Sequence, residues 1–324
     1  MKRKVQKSGP STFTISLPKE WCAANHIEKH SELDVLEYNG VLVLIPPKYK
    51  KKRDEIVINA DKTSSELNLR RFLAAYISGF DIIKMNTEGL DYSMKEKIRR
   101  FPQNVIGVEI IEEDASSVVF QDLLDFHSLS LDRAFHRVFK LVFNMEKEAI
   151  LSMLQGNKNL AREIISRDKE IDRLYLLVRR NLSKIITRWD VEEENQRNRD
   201  VLNIFSAIKS LERIGDHAEK IARNVLNIEN VPKKNISLLI DRVNEKILHN
   251  LQLSFRSFQE IDINSAQRVL ESEEGIRQSI SQLKDRMRKG EESEDPYIYT
   301  ISDSLQRVAV LISESGEAAL DRAV

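Results

Sequence analysis

The sequence predicts a multidomain, mainly α-helical protein: a six-helix bundle of two three-helix repeats, preceded by a small β-rich module and a small α+β domain. Three observations predict it. Apolar residues recur at helical spacing from about residue 125 to the end, charged residues reach 31% while Gly (10) and Pro (7) are scarce, and strand-like segments fall in the first 124 residues. At 324 residues the chain has room for two or three domains, and 41% hydrophobic content suffices for packed cores. The longest aliphatic run, Val41 to Ile45, is far short of the ~20 residues that span a bilayer. Lys2, Arg3 and Lys4 are followed by no apolar segment, so no signal peptide is expected and the expected location is cytoplasmic. The single cysteine, Cys22, excludes an internal disulfide and reads as a small packing residue.

Residues 1–47 read as short strands around one helical turn. Phe13, Ile15 and Leu17 alternate with Thr14 and Ser16 as in a half-buried strand, and Pro18 opens a helix over Lys19–Ala24. Leu33–Tyr38 and Val41–Ile45 flank Asn39-Gly40, a two-residue hairpin turn, and Pro46-Pro47 ends the module. A piece this small gains its core by dimerising, so a homodimer or higher oligomer is expected. Residues 54–124 form the second domain. Strands are predicted at Glu55–Ile58, Asp81–Met85, Val105–Ile111 and Ser117–Phe120, with helices at Ser65–Phe80 and Met94–Arg100, a β-α-β-α-β-β order.

Residues 125–324 form the bundle. Leu131, Phe135, Val138, Val142, Met145 and Ala149, and again Ile204, Ile208, Leu211, Gly215, Ala218, Ala222 and Val225, recur at alternating steps of three and four, as in bundle seams. Turns at Gly156-Asn157, Trp189–Asp200, Glu229–Pro232, Ile261–Asn264 and Gly290–Pro296 delimit six helices. An offset of 105 aligns His136-Arg137-Val138 with Asp241-Arg242-Val243, and an offset of 94 aligns Leu211-Glu212-Arg213 with Leu305-Gln306-Arg307. The repeats are therefore placed at about 125–229 and 230–324, the difference of 11 residues being assigned to a shorter loop in the second.

Two acidic pairs could carry chemistry. Asp168 and Asp172, and Glu212 and Asp216, each stand at i, i+4, about 6 Å apart on one helical face. They lie about 80° and 120° round from Leu160 and Ile204, which begin the two seams, so both pairs flank an apolar stripe. Such like charges repel, and a bound cation reverses the sign; an all-oxygen site suits Mg, Mn or Fe, with Zn an alternative. From spacing alone, ion pairing with Arg167, Arg173 and Arg213 is the favoured reading.

Arg167-Asp168-Lys169-Glu170-Ile171-Asp172 and Leu211-Glu212-Arg213-Ile214-Gly215-Asp216-His217-Ala218 resemble the two signature stretches of the PhoU family of phosphate-uptake regulators. The resemblance covers residues 125–324 and implies a two-repeat, six-helix fold and a metal cluster, iron or zinc, at Asp168, Asp172, Glu212 and Asp216. In the second repeat these positions are Glu273, Arg277, Gln306 and Val310, so at most one cluster is expected. Lys220 stands where the family usually has Asn and adds a positive charge one turn beyond Asp216. His217, about 100° round from Asp216, reads as packing or hydrogen bonding rather than as a ligand.

Residues 1–53 carry eleven basic and five acidic groups, a net +6 against −6 for the remainder, which points to a polyanion partner or equally to a solvated segment. Residues 3–47 resemble the AbrB/SpoVT swapped-hairpin domain through Arg3-Lys4-Val5-Gln6-Lys7-Ser8-Gly9, Ile15-Ser16-Leu17-Pro18-Lys19-Glu20-Trp21 and the Asn39-Gly40 hairpin. That resemblance implies a dimer and DNA binding. Cys22-Ala23 replaces a frequent arginine pair, leaving Lys2, Arg3, Lys4, Lys7 and Lys19 to contact phosphates of duplex DNA, weakly. No Ser/His/Asp order, P-loop, dinucleotide fingerprint or His-Glu-x-x-His string occurs, and His26, His30, His127, His136, His217 and His249 share no face, so catalysis is not expected. The resemblances together imply a negative regulator of phosphate uptake and signalling, contacting a phosphate transporter or its signalling partner at the membrane surface. A DNA-binding transcriptional regulator whose bundle senses metal or phosphate is the alternative, and a carboxylate-bridged metalloenzyme a third class.

Overall fold

The computed structural model describes residues 2–38, 40–46, 53–124, 131–187, 194–289 and 295–323. Asn39 and Pro47, residues 125–130, and parts of the turns expected at Trp189–Asp200 and Gly290–Pro296 lie outside the described residues. The chain divides into two compact units, one up to Arg53 and one from Asp54 onwards.

The first unit holds two antiparallel hairpins, β1 (Gln6–Ser8) with β2 (Thr12–Thr14) and β3 (Asp34–Tyr38) with β4 (Val41–Ile45), and the short helix α1 (Lys19–Ala24). Pro18 caps α1 with extended backbone rather than forming its first residue. The expected half-buried strand is corrected: β2 ends at Thr14, and Phe13 and Ile15 are 68% and 55% exposed.

The second unit begins with β5 (Glu55–Asn59), α2 (Ser65–Ile77), β6 (Ile82–Asn86), α3 (Tyr92–Arg99), a 3₁₀ turn at Phe101–Asn104, β7 (Val108–Glu113) and β8 (Ser117–Asp122). The expected β-α-β-α-β-β order holds, although α2 stops three residues before Phe80 and the 3₁₀ turn delays β7. The sheet order is β5-β6-β8-β7, with β5 and β6 parallel and the other pairs antiparallel. Ser64 and Asp91 cap the two helices by accepting from the Leu67 and Met94 N–H groups. Phe72, Tyr76, Met85, Ile98 and Phe120 fill this layer's core.

Six helices follow: α4 (Leu131–Gln155), α5 (Lys158–Thr187), α6 (Glu194–Asn227), α7 (Lys234–Glu260), α8 (Ile263–Lys289) and α9 (Pro296–Ala323). Both predicted seams are buried except at Leu131 and Ile204, which are partly covered. The turn expected at Trp189–Asp200 is shorter, because α6 is helical from Glu194. The eleven extra residues of the first repeat are likewise not in a loop. Relative to the aligned ends of α8 and α9, α5 runs three residues further and α6 starts eight residues earlier. Ile261, left-handed at φ 55°, ends α7, and Asp262 opens α8 by accepting from the Asn264 and Ser265 N–H groups. Among the described residues no helix is long and apolar enough to cross a membrane.

Candidate metal centre

Helices α5 and α6 pack through fully buried Ile164, Ile171 and Val178 on one side and Ile208, Ile214 and Ala218 on the other. Gly215 sets how closely they approach. A Cβ there would lie 3.0 Å from Ile171 Cδ1 and 3.7 Å from Val142 Cγ2, so α6 presents bare backbone where α4 and α5 meet it. The residues beside this contact are the predicted carboxylates.

Asp168 and Asp172 on α5 and Asp216 on α6 each offer an oxygen, and these atoms lie within 4.8 Å of one another. Glu212, one turn before Asp216, is partly buried and feels the charge of all three. The group sits at the rim of the α5–α6 seam, as the angles from Leu160 and Ile204 predict. Burial raises every one of the four pKa values, and like charge raises them further. Asp168 is pushed up to about 7, by desolvation and then by Asp172, Glu219 and Asp216. Glu212 is pushed up to about 7 by desolvation, then Asp216, Asp172 and Asp168. Asp216 is pushed up to about 6 by desolvation, then Asp172 and Glu219, and Asp172 moves the same way by desolvation, then Glu219.

The ion-pair reading of these acids is corrected. Arg167 pairs with Glu148 and Glu163, Arg173 donates to the Val105 carbonyl at 3.1 and 3.2 Å, and Arg213 lies 4.0 Å from Glu314. Each arginine therefore spends its donors elsewhere, although Arg213 still tempers Glu212 and Asp216 through space, and Arg223 tempers Asp168. The buried Oδ1 of Asp168 has no hydrogen-bond partner among the described residues. An orphaned anionic oxygen among crowded carboxylates fits a cation, and an oxygen-only donor set fits a hard or borderline one.

Two neighbours complete the surroundings. The charge of Lys220 acts on His217, whose pKa falls to about 4 through desolvation, then Lys220, Arg213 and Arg307. His217 Nδ1 is buried and has no hydrogen-bond partner among the described residues, so the ring packs, as expected, and is outside the acidic trio. Sequence reasoning missed Glu219, paired with Arg223, which raises the pKa of all three aspartates. Its i+3 spacing from Asp216 was the available signal. In the second repeat Arg277 pairs with Glu274, the Gln306 side chain accepts from Lys284 at 2.9 Å, and Val310 is 37% exposed.

The other predicted site residues lie in the first unit. Lys2, Arg3 and Lys4 precede β1, Lys7 is in β1 opposite Phe13, Lys19 begins α1, and all five are exposed. Cys22 on α1 is a partly buried free thiol.

Fold and site together define a helical-bundle protein with a carboxylate cluster on an inter-helix seam. Residues 135–225, which run from α4 into the last turn of α6 and hold all four carboxylates, match the PhoU domain family model. The chain is 26% identical over 147 residues to a phosphate-specific transport system accessory protein PhoU homolog of Aquifex aeolicus, covering 45% of this chain and 66% of that one. It is 32% identical over 127 residues to a homolog of the same description from Pseudomonas aeruginosa, covering 38% and 50%. The matches thus span between half and two thirds of these relatives' length. The crystal structure of the phosphate transport system regulatory protein PhoU from Streptococcus pneumoniae shares the bundle fold, with a TM-score of 0.53 at 22% identity over 60% of this chain and 93% of that one.

Proposed function

We propose that this chain is a regulatory accessory protein of phosphate transport, a negative regulator that acts from its bundle on a phosphate transporter or that transporter's signalling partner at the membrane surface. One observation carries the reading: the stretch that matches the PhoU domain is the stretch in which Asp168, Asp172 and Asp216 converge, with Glu212 one turn before Asp216 and feeling the charge of all three. We assign these four residues the role of holding metal, iron or zinc by the family resemblance, with Mn or Mg compatible with oxygen donors. A bound cation would supply positive charge beyond what Arg213 and Arg223 supply through space, and would fix α5 against α6. The partner-facing surface of a regulator then depends on how those helices are held. The role is regulatory rather than enzymatic. Co-purification from membranes tests it: the wild-type chain should bring down a phosphate-transport component, and D168N/D216N should bring down less than a tenth as much. Metal-dependent turnover of a phosphate ester would instead favour a metalloenzyme.

The exposed cations of the first unit favour a second reading, a DNA-binding regulator in which this unit forms the homodimer. Lys2, Arg3, Lys4, Lys7 and Lys19 place ten cations on a dimer. If about five reach phosphates, the log–log salt slope should be about −4 to −5, with affinity of roughly 10⁻⁴–10⁻⁶ M at physiological salt. Without base-edge contacts sequence preference should be slight. A nanomolar complex with one operator at that salt would make transcriptional control the primary function.

A further inference from the structure

The four-stranded sheet has two edges, and they are built differently. On β7 the pairing to β8 slips between Ile110 and Glu112, a bulge, and the strand carries Glu109, Glu112 and Glu113. Bulges and charges are the means by which exposed edges avoid pairing with other chains. The opposite edge, β5, reads Glu55-Ile56-Val57-Ile58-Asn59, with no lysine, proline or bulge, and Val57 at its centre is 55% exposed.

The ladder fixes which backbone groups face outward. Ile82 N–H donates to the Asp54 carbonyl at 3.1 Å and Ala60 N–H donates to the Asn86 carbonyl at 3.0 Å. Alternation then turns the N–H and C=O groups of Ile56 and Ile58 toward β6, and those of Glu55, Val57 and Asn59 toward the open edge. At one end of it Arg71 of α2 donates to the Asn59 carbonyl at 3.1 Å. Beside the edge lies a groove of about 490 Å³ between β5 and α2, where Arg71, Ala74, Ala75 and Ser78 share one helical face. The small residues of that face leave room for a neighbouring helix.

We propose that β5 pairs antiparallel with β5 of a second copy of this chain, about a two-fold axis through Val57, so that two sheets form one of eight strands. The strand is complementary to itself in that register. Val57 meets Val57 as a doubly hydrogen-bonded pair, Glu55 meets Asn59, and Ile56 meets Ile58, so no like charges are opposed. The second α2 lies antiparallel to the first across the groove. Arg71 of each copy then faces the carboxyl-terminal end of the other's α2, where the helix dipole favours a cation. An isologous contact of this kind closes on itself and buries the edge. The proposal stands on the sheet alone and is independent of the regulatory reading.

Cross-linking of the full-length chain tests it. In a C22S background, V57C treated with a short thiol–thiol cross-linker at micromolar protein should give covalent dimer in most of the sample, whereas E109C on the opposite edge should give little. Absence of the V57C dimer, or equal cross-linking at E109C, would overturn the proposal, and a partner strand from another protein would then be the better occupant. Independently, V57K sets two ammonium groups opposite each other and should raise the concentration at which the assembly dissociates at least tenfold, with unchanged circular dichroism. An unchanged dissociation profile would also overturn it.

Discussion

Glu146 sits on α4 with no exposed surface, and neither carboxylate oxygen has a hydrogen-bond partner among the described residues. Burial alone pushes its pKa up to about 8. A carboxyl whose folded value lies above its unfolded one contributes stability below pH ~4.5 that is lost as pH rises through ~8. Replacing it by an apolar residue of similar length removes both orphan oxygens, so E146M should stabilise the chain by roughly 1–3 kcal/mol at pH 8, and by less at pH 5, in urea titrations. Equal stability of the two chains at both pH values would refute this. The same sign holds at the carboxylate cluster. In metal-stripped protein its contribution is intact below about pH 4 and is lost as pH rises through 6 to 7. Thermal melts with chelator should therefore show the wild type losing stability between pH 5 and 8 relative to a D168N/D172N/E212Q/D216N variant, and added metal should reverse the loss. The i, i+4 pairs made this cluster legible. That its neighbouring arginines pair elsewhere was not, because Arg167 turns to Glu148 on another helix, a choice that spacing within one helix does not record. Glu146 was readable in principle, standing four residues after Val142 and three before Ala149 on the inward seam.

Helix α5 spans two environments. Asp168 and Asp172 lie on the bundle seam, and about three turns later Arg180 and Lys184 reach the α+β layer. Arg180 is 1% exposed, donates to Asp122 Oδ2 at 2.6 and 3.1 Å and to the Tyr76 and Phe80 carbonyls at 2.5 and 2.7 Å, and lies over the Tyr76 ring at 4.8 Å. Lys184 Nζ bridges Asp122 at 2.8 Å and Asp81 at 3.0 Å. Removing one partner from a buried, fully bonded ion cluster typically costs about 3–5 kcal/mol, so R180A should lower unfolding stability by that order, whereas R179A should cost under about 1 kcal/mol. Indistinguishable denaturation midpoints would show that the cluster does not anchor the layer. Adjacent arginines at 179 and 180 give no clue from sequence as to which is buried; the answer depends on a contact with residues about 100 positions earlier. The seams, by contrast, were legible because 3.6-residue periodicity is a local property. The extra eleven residues were misplaced into a loop for a related reason: the polar stretch Glu192–Asp200 lacks the apolar stripe that marks a helix, yet α6 covers it from Glu194.

At the scale of the molecule, the first unit leaves Val5, Phe13, Ile15, Val35, Val41 and Leu42 between 55% and 68% exposed. Apolar surface of that density on so small a unit calls for a covering partner. Deleting residues 1–47 should lower the mass measured by light scattering, and an unchanged mass would show that the rest of the chain alone sets the assembly. The alternation at Phe13, Ile15 and Leu17 was legible as apolar, but the exposure of Phe13 and Ile15 was not, because periodicity does not record what lies against a strand. On the reading proposed above, the α5–α6 seam holds metal through Asp168, Asp172, Glu212 and Asp216. Elemental analysis of natively purified protein tests it most directly, with wild type, D216A and the quadruple alanine variant prepared side by side. Bound transition metal is expected in the wild type, with most of it lost in D216A and all of it in the quadruple variant, while E273A, whose partner position is Arg277, keeps the wild-type content. Equal metal in wild type and quadruple variant would contradict it.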